Sequence, residues 1–329
     1  MNEYGFSLTL SIFIAIMQGK IPSPQEVIMK KIIVVGSANM DLVIRVSHIP
    51  AEGETILAKG VQLYPGGKGA NQAVAVARLG GDVTMIGCVG EDDHGRELLA
   101  QMADCGVNTA GVEALDDVPT GAAYIKVSDA GENNIVVNPG ANERVSPEML
   151  TRYSHLFDGA AYCIIQLEVP IPTLYALVEI CNTRGIRLIL NPAPAAPLDF
   201  DKLQGVWMIA PNQSELDLLV PGHGDSREKA RALYQKGFPH VLVTLGAEGC
   251  LLVSEEGERT YPAYTALQPV DTTAAGDSFI GALAFGLSRE LDLEAAIGLA
   301  AHAAGISVSR PGAQASLPTW EEVEVVFLG

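Results

Sequence analysis

The sequence predicts an α/β fold in which helices cover the faces of a mainly parallel sheet and a small antiparallel sheet is appended as a lid. Two patterns carry this expectation. From Lys31 onward, short β-branched runs alternate with helical stretches, as parallel strands joined by crossover helices require. In two places the rhythm breaks into strands bounded by Gly, Pro, Asp and Asn with no helix between partners, the signature of antiparallel pairing. Size is the third observation: 329 residues, 48% of them hydrophobic, supply a sizeable core. Neither an internal repeat nor a low-complexity linker divides the chain.

Strands of the main sheet are expected at Ile32 to Gly36, Val83 to Gly90, Ala161 to Glu168, Ile186 to Asn191, Val206 to Asn212 and His240 to Gly246. Helices are expected where alanine, leucine and valine recur at helical spacing: Ala70 to Leu79, Gly95 to Cys105, Thr173 to Arg184, Arg227 to Lys236, Gly276 to Arg289 and Leu293 to Ser307. The lid strands read as Leu42 to Val46, Thr55 to Leu63, Gly121 to Ser128 and Asn133 to Asn138, within about 41–65 and 119–138. Open α/β sheets bind ligands beyond the carboxyl ends of their strands. Polar residues that end strands are therefore the candidates for chemistry.

Ahead of the first strand, Leu8 to Met17 (LTLSIFIAIM) is apolar but only ten residues long, and Glu3 rather than a basic segment precedes it. It is too short to span a bilayer and lacks the flanks of a signal peptide. Residues 1–28 read as an extension outside the core fold, with Met29 as an alternative start and the core domain over 29–329. A membrane or partner anchor is the competing reading.

Lysine and arginine number 21 against 39 aspartates and glutamates, a formal charge of −18. That balance disfavours nucleic acid and anionic membranes as partners, so a phosphate ligand would have to be held by local donors. The five cysteines (Cys88, Cys105, Cys163, Cys181 and Cys250) are widely spaced without a CxxC pair, and the six histidines show no metal-ligand spacing. Neither a disulfide framework nor a zinc site is expected, and a reducing, cytoplasmic setting fits best.

The stretch DTTAAGDSF, Asp271 to Phe279, sets a carboxylate among small residues at the start of a predicted helix. Ala274, Ala275 and Gly276 carry no bulk that would keep an anion from their N–H groups, and a helix start offers unpaired donors and the positive end of the dipole. Asp277 in that setting suits removal of a hydroxyl proton during phosphoryl transfer; the structural alternative is an ordinary helix cap.

GSANMD places Asn39 and Asp41 just past the first strand, as partners for adjacent sugar hydroxyls or as turn residues. In YPGGKGANQA, Gly66, Gly67 and Gly69 permit close backbone approach to a ligand, with Lys68 and Asn71 as directed polar contacts. That run is neither a Walker A loop nor GxGxxG, and a surface turn is its alternative. Glu168 directly follows a strand expected to be buried and would face the ligand crevice of a parallel sheet. Asn212 and Glu215 stand at the spacing of a capping box, the role favoured for Glu215. Thr244 to Gly249 is either a hairpin turn into Cys250 to Val253 or backbone against which a nucleotide lies.

Together GSANMD, GGKGAN, QLE, NPAPA, PNQSE, TLGAEG, DTTAAGDSF and RPGAQAS occur in the order and spacing of the ribokinase-like (phosphofructokinase B) sugar kinase family, which the chain resembles from Met29 to its C-terminus. The resemblance implies a three-layer α/β/α core with a β-sheet lid that usually also forms a homodimer. It implies ATP-dependent phosphorylation of the ribose 5-hydroxyl, with Mg2+ and an activating K+. Carried over by position, Asp277 resembles the catalytic base, and Ala274, Ala275 and Gly276 the anion hole. Asn39, Asp41, Gly67, Lys68, Gly69, Ala70, Asn71 and Glu168 match sugar-binding positions. Asn212 and the turn Thr244, Leu245, Gly246, Ala247, Glu248, Gly249 match the nucleotide site, which Gly276 and Asp277 also border. Asp271, Thr273, Ser307, Arg310, Gly312 and Ser316 match the monovalent-cation site. The chain departs from the family where a late-helix Asn or His is usual, because Ala301 stands there with His302 one place along.

Kinases for deoxyribose, another pentose or a nucleoside share this scaffold. Asn39, poised to bond a hydroxyl, favours ribose. A silent sugar-binding regulator is the non-enzyme alternative, and it would need no base aligned with an anion hole.

Overall fold

The computed structural model describes residues 29–327, so the extension read over 1–28 lies outside the described residues. In chain order the first strands are β1 (Lys31–Val35), β2 (Asn39–Arg45), β3 (Gly60–Gly66), β4 (Val83–Gly90) and β5 (Asn108–Leu115). There follow β6 (Gly121–Val127), β7 (Asn133–Asn138), β8 (Ala160–Ile165), β9 (Arg187–Leu190) and β10 (Met208–Ile209). The last are β11 (His240–Thr244), β12 (Cys250–Ser254) and β13 (Gly257–Tyr261). The helices are α1 (Lys68–Arg78), α2 (Asp93–Asp104), α3 (Pro147–Arg152), α4 (Ile171–Arg184) and α5 (Gln213–Leu219). They continue as α6 (Ser226–Gln235), α7 (Ala275–Ser288), α8 (Leu293–Ser307) and α9 (Trp320–Phe327).

Nine strands form the main sheet in the order β13-β12-β11-β10-β9-β8-β1-β4-β5. Pairing is parallel from β11 to β5 and antiparallel only at the β11–β12–β13 edge. β1 explains the layering: Ile32 and Val34 enter one apolar cluster, Ile33 and Val35 the other, the period-two pattern of a strand buried on both faces. Helices α1, α2, α7, α8 and α9 supply the first cluster, and α3, α4, α5 and α6 the second. The chain leaves β1 toward β4 on one side and later returns to β8 on the other. Its topological switch, where such sheets open a crevice, is therefore at β1.

The small sheet runs β3-β2-β6-β7. Two antiparallel pairs, β2–β3 and β6–β7, meet along a parallel β2–β6 seam. β3 begins and ends later than the Thr55 to Leu63 expectation, because this edge strand accepts Pro65, which reads as a breaker in sequence, and pairs through to Gly66. β5 and β13 also escaped the sequence reading, and β10 is shorter than the expected Val206 to Asn212 run.

Several helices start on side-chain caps. Asp92, Asn212, Asp225 and Asp292 each accept the N–H of the residue three places on, satisfying a donor that the helix start leaves open. α1 and α7 have no such cap. The two pack against each other closely because α7 carries Gly281, where an added Cβ would stand 2.5 Å from the Ala75 Cβ and 2.9 Å from the Gln72 carbonyl oxygen. Alanine normally gains about 0.5–1 kcal/mol over glycine inside a helix. Overpacking costs about 1–3 kcal/mol, so Gly281→Ala is expected to destabilise the protein by roughly 1–2 kcal/mol, read as a lower urea midpoint with unchanged slope.

Candidate active site

The uncapped starts of α1 and α7 face the carboxyl ends of β1 and β8, and they use their free donors differently. At α1, the Lys68 N–H donates to Glu168 Oε2 at 3.0 Å, the Gly69 N–H to Ser37 Oγ at 3.3 Å and the Ala70 N–H to the Ser37 carbonyl at 2.8 Å. Ser37 Oγ in turn donates to Glu168 Oε2 at 2.5 Å. Glu168 thus caps α1 from the end of another strand. Gly67 makes the turn possible: its φ is +88°, and a Cβ there would lie 2.7 Å from the Asn39 nitrogen. At α7, Ala274 adopts the left-handed conformation at φ 58°, an arrangement that costs a non-glycine residue free energy. The Ala275 N–H donates to the Thr272 carbonyl at 3.2 Å. The N–H groups of Gly276 and Asp277 find no acceptor among the described residues, and a Cβ on Gly276 would meet open space.

Asp277 is buried, at 6% exposure. Its Oδ2 accepts from Asn71 Nδ2 and its Oδ1 from Gln72 Nε2, both at 2.9 Å. Burial pushes its carboxyl above the ordinary range, opposed by the nearby Lys68 ammonium and these two amides. Burial alone would lower the Lys68 ammonium, but Asp277, Glu168, Glu215 and Asp41 around it outweigh that and hold it above its usual value. Lys68 and Asp277 open on a cavity of about 190 Å³ together with Asn191, Asn212, Thr244 and Ala274. Asn191 follows β9, and Asn212, beyond β10, is bridged to Thr244 at the end of β11, so the cavity lies where successive parallel strands end.

Asn39 and Asp41 stand on β2. Asn39 Oδ1 accepts from Asn142 Nδ2 at 2.7 Å, and Asn142 Oδ1 accepts from the Ala38 N–H at 2.9 Å. The Asp41 carboxyl is raised to about 7 by its burial and by repulsion from Glu168 and Asp277, against attraction from Lys68. A side chain at Gly66 would collide with that carboxylate.

The late-strand residues serve two structural ends. Asn212 and Glu215 form a full capping box on α5, and burial raises the Glu215 carboxyl against its bond from the Asn212 N–H. Residues Leu245 to Gly249 make the tight connection from β11 to β12, closed by Leu245 N–H to the Gly249 carbonyl at 2.8 Å; Gly246, Ala247 and Glu248 form a short helical turn within it. His302 stacks on Tyr264 with ring centres 4.6 Å apart, meets Phe327 edge-on and bonds the Gly298 carbonyl, while Ala301 packs on the core.

A second constellation joins the 271–273 loop to the C-terminal turns. Asp271 Oδ1 accepts from the Thr273 N–H and hydroxyl, and its Oδ2 from the Gly312 N–H at 2.9 Å. Ser307 and Ser316 hydroxyls meet at 2.8 Å. The Arg310 guanidinium pairs with Glu322 instead of turning into this cluster, so only its backbone is left to serve a cation. Burial opposes ionisation of Asp271, but the bonds from Thr273 and Gly312 prevail and hold its carboxyl below the ordinary range.

Sequence reasoning passed over Ser37, Gln72, Asn142, Gln166 and Asn191. Four of these lie inside the quoted runs GSANMD, GANQA, QLE and NPAPA, and a polar residue within a run expected to be buried was the available signal. Asn142 had none.

Comparison with known proteins agrees with this fold. The model of the pfkB family carbohydrate kinases matches residues 29–320. A ribokinase of Haemophilus influenzae is 38% identical over 298 residues, covering 89% of this chain and 97% of that protein. A deoxyribokinase of Salmonella typhi is 36% identical over 296 residues, covering 88% and 96%. The structure of Arabidopsis thaliana ribokinase complexed with ribose and ATP superposes with a TM-score of 0.85 at 31% identity, covering 92% of this chain and 99% of that one.

The position of Asp41 generates a stability prediction. A carboxyl raised from 3.8 to about 7 binds a proton in the folded state that the unfolded chain has already released, so its contribution is fully present below 3.8 and is lost as pH rises toward 7. Asp41→Asn, which never ionises, is expected to raise the melting temperature at about pH 8 and to confer no gain near pH 4. Equal melting temperatures at the upper pH would contradict the raised carboxyl.

Proposed function

The chain belongs to the pfkB family of carbohydrate kinases, and on that premise we propose that it transfers the γ-phosphoryl group of ATP to the 5-hydroxyl of D-ribose, giving D-ribose 5-phosphate. One observation carries the reading: a buried carboxylate, Asp277, stands at the uncapped start of α7, beside the free Gly276 N–H, on a cavity that Lys68 also lines. Residues 29–329 act as one kinase domain, with the small sheet as its lid.

In the proposed reaction the sugar lies between the β1–β2 connection, the Gly67–Asn71 turn and Glu168. Asn39, Asp41, Glu168 and Asn71 grip its hydroxyls; the Asn71 Oδ1 is buried without a partner among the described residues and is available for that purpose. The nucleotide lies along Asn212 and the Thr244–Gly249 turn, with its terminal phosphate at the α7 start. Asp277 accepts the 5-hydroxyl proton as that oxygen attacks in line, and Gly276 with its neighbours offers N–H groups to the charge developing on the phosphoryl oxygens. Lid closure excludes water that would otherwise take the phosphate.

Bound with the nucleotide, Mg2+ would shield the charge of its phosphates, whose oxygens are usual ligands of this ion; no group of three His, Cys, Asp or Glu side chains that could hold a metal lies among the described residues. The oxygen-rich cluster of Asp271, Thr273, Ser307 and Ser316, with the backbone of Arg310 and Gly312, suits a hard monovalent cation such as K+ and would steady the loop that precedes α7. Among the described residues no helix is long and apolar enough to cross a membrane, and a cytoplasmic setting accords with ATP as donor.

The small sheet also supports a homodimer. Register aligns Leu63, Leu42, Tyr124 and Val136 in one cross-strand row. Leu63, Tyr124 and Val136 are 45%, 41% and 56% exposed, an apolar surface of the kind that marks an interaction site. Light scattering is expected to give a dimer, and Val136→Lys to shift it toward monomer; a wild-type monomer would remove the dimer from the reading.

A coupled assay with ATP and ribose, deoxyribose, fructose or adenosine tests the substrate. Ribose is expected to be preferred, because a residue placed to bond a hydroxyl loses that bond on a sugar lacking it. Preference for deoxyribose would move the chain beside its Salmonella relative, and no transfer to any acceptor would leave a sugar-binding regulator. Asp277→Asn is expected to lower kcat about 10²–10⁴-fold while ribose affinity is retained, and near-normal turnover would exclude Asp277 as the base.

A further inference from the structure

Behind Asp277 lies a chain of amides: Gln72 and Gln166 are fully buried, and half-buried Asn191 ends the chain at the cavity wall. The Asn191 Nδ2 donates to the Ala210 carbonyl at 3.0 Å, which turns the Asn191 Oδ1 toward Gln72. Gln72 Nε2 donates to that oxygen at 3.1 Å and to Asp277 Oδ1 at 2.9 Å. Gln166 Nε2 donates to Gln72 Oε1 at 2.6 Å. The donor sense is consistent along the whole chain: Ala210 offers only an acceptor, so Asn191 presents its oxygen to Gln72, and Gln166 accordingly meets the Gln72 oxygen. Gln72 and Gln166 are both 0% exposed, so water cannot substitute for either bond.

We propose that Gln72 is a positioning residue for Asp277, its amide locked by Gln166 and Asn191 so that an N–H always faces the Asp277 Oδ1. The proposal rests on Asp277 being the base, as argued above. A glutamine turned the other way would set its carbonyl against the carboxylate and repel it, and the bonds to Gln166 and Asn191 add to the preference for the donor orientation. Locked, it favours the ionised form, fixes the carboxylate plane, and leaves the remaining lone pairs of Asp277 for the incoming hydroxyl proton. The other charged groups around Asp277 are Lys68 from α1, Glu168 beyond β8, Glu215 from α5 and Asp41 from β2. Of these only Lys68 stabilises the carboxylate, so the two amide donors from α1 are its main neutral support against burial and three like charges. Gln72 is distinct from Asn71: the Asn71 Oδ1 is without a partner among the described residues, whereas every polar atom of the Gln72 side chain is engaged within the protein.

The test is a titration of the Asp277 carboxyl by carbon-13 NMR in the unliganded protein, assigned by the resonance lost in Asp277→Asn. Gln72→Met keeps length and volume but removes the donor. A donor to the ionised form lowers a carboxyl pKa, so its loss is expected to raise the midpoint by about one pH unit. The acid limb of the kcat profile for ribose is expected to move up with it, with kcat near neutral pH down about tenfold and KM within about twofold. Gln166→Met, which only unlocks Gln72, is expected to shift the midpoint in the same direction by less, and it decides the matter if Gln72→Met does not fold. An unmoved midpoint, even with a lowered melting temperature, would overturn the proposal and leave Gln72 as core structure. If the midpoint moves but the wild-type protein phosphorylates no sugar, the positioning stands and the kinase reading falls.

Discussion

The crevice depends on the close packing of α1 against α7. Gly281 removes the side chain that would hold the helices apart, and one turn earlier on the same helix Asp277 comes within reach of Asn71 and Gln72. The two helix starts consequently converge, and each brings the positive end of a helix dipole to one place. Their donors are then divided. Glu168 and Ser37 consume those of α1, which anchors the Gly-rich turn to the ends of β8 and β1. At the start of α7 the N–H groups of Gly276 and Asp277 have no acceptor among the described residues. One helix start is thus structural and the other open to a ligand, although neither carries a side-chain cap of its own.

This division separates what the sequence makes legible from what it does not. Local rules carried well: the Asn212–Glu215 box needs only its own spacing, and the alternation of Ile32, Ile33, Val34 and Val35 between two cores follows from strand period alone. Glu168 was recognisable as an acid at a strand end, but its bonds to Ser37 and Lys68 were not, because they join residues far apart in the chain. Gln72 was harder still. It sits one place from Asn71, and nothing in GANQA tells which of two adjacent amides keeps an oxygen without a partner and which has every polar atom engaged; that depends on Gln166 and Asn191. β5 was missed for a different reason, since NTAGVEAL has few β-branched residues and earns its place by pairing with β4.

The charge distribution around Lys68 sets a further constraint on the proposed reaction. Asp41, Glu168, Glu215 and Asp277 all act on this one ammonium, in a chain whose formal charge is −18. Unlike a basic patch, such a crevice cannot draw in a nucleotide by its overall field. At an effective dielectric of about 20, two like charges about 4 Å apart repel by roughly 4 kcal/mol, so a phosphate placed among the carboxylates would be expelled. A sugar meets no such penalty, because its hydroxyls are neutral and donate to carboxylates. In the proposed reaction the acid residues would therefore favour a neutral polyol on the β2 side. Within the cavity the free N–H groups and dipole of α7 suit a phosphoryl group, as does the Lys68 ammonium. Asp41, with its carboxyl near 7, can also shed its charge at little cost, which lowers the repulsion within the acid group, while the two amide donors to Asp277 oppose the rise that burial imposes on its carboxyl. In the proposed reaction the hydroxyl would approach from the acid side and the phosphoryl group from the α7 start, meeting beside Asp277 with the attacking oxygen and the leaving oxygen of the nucleotide on opposite sides of the phosphorus, as in-line transfer requires.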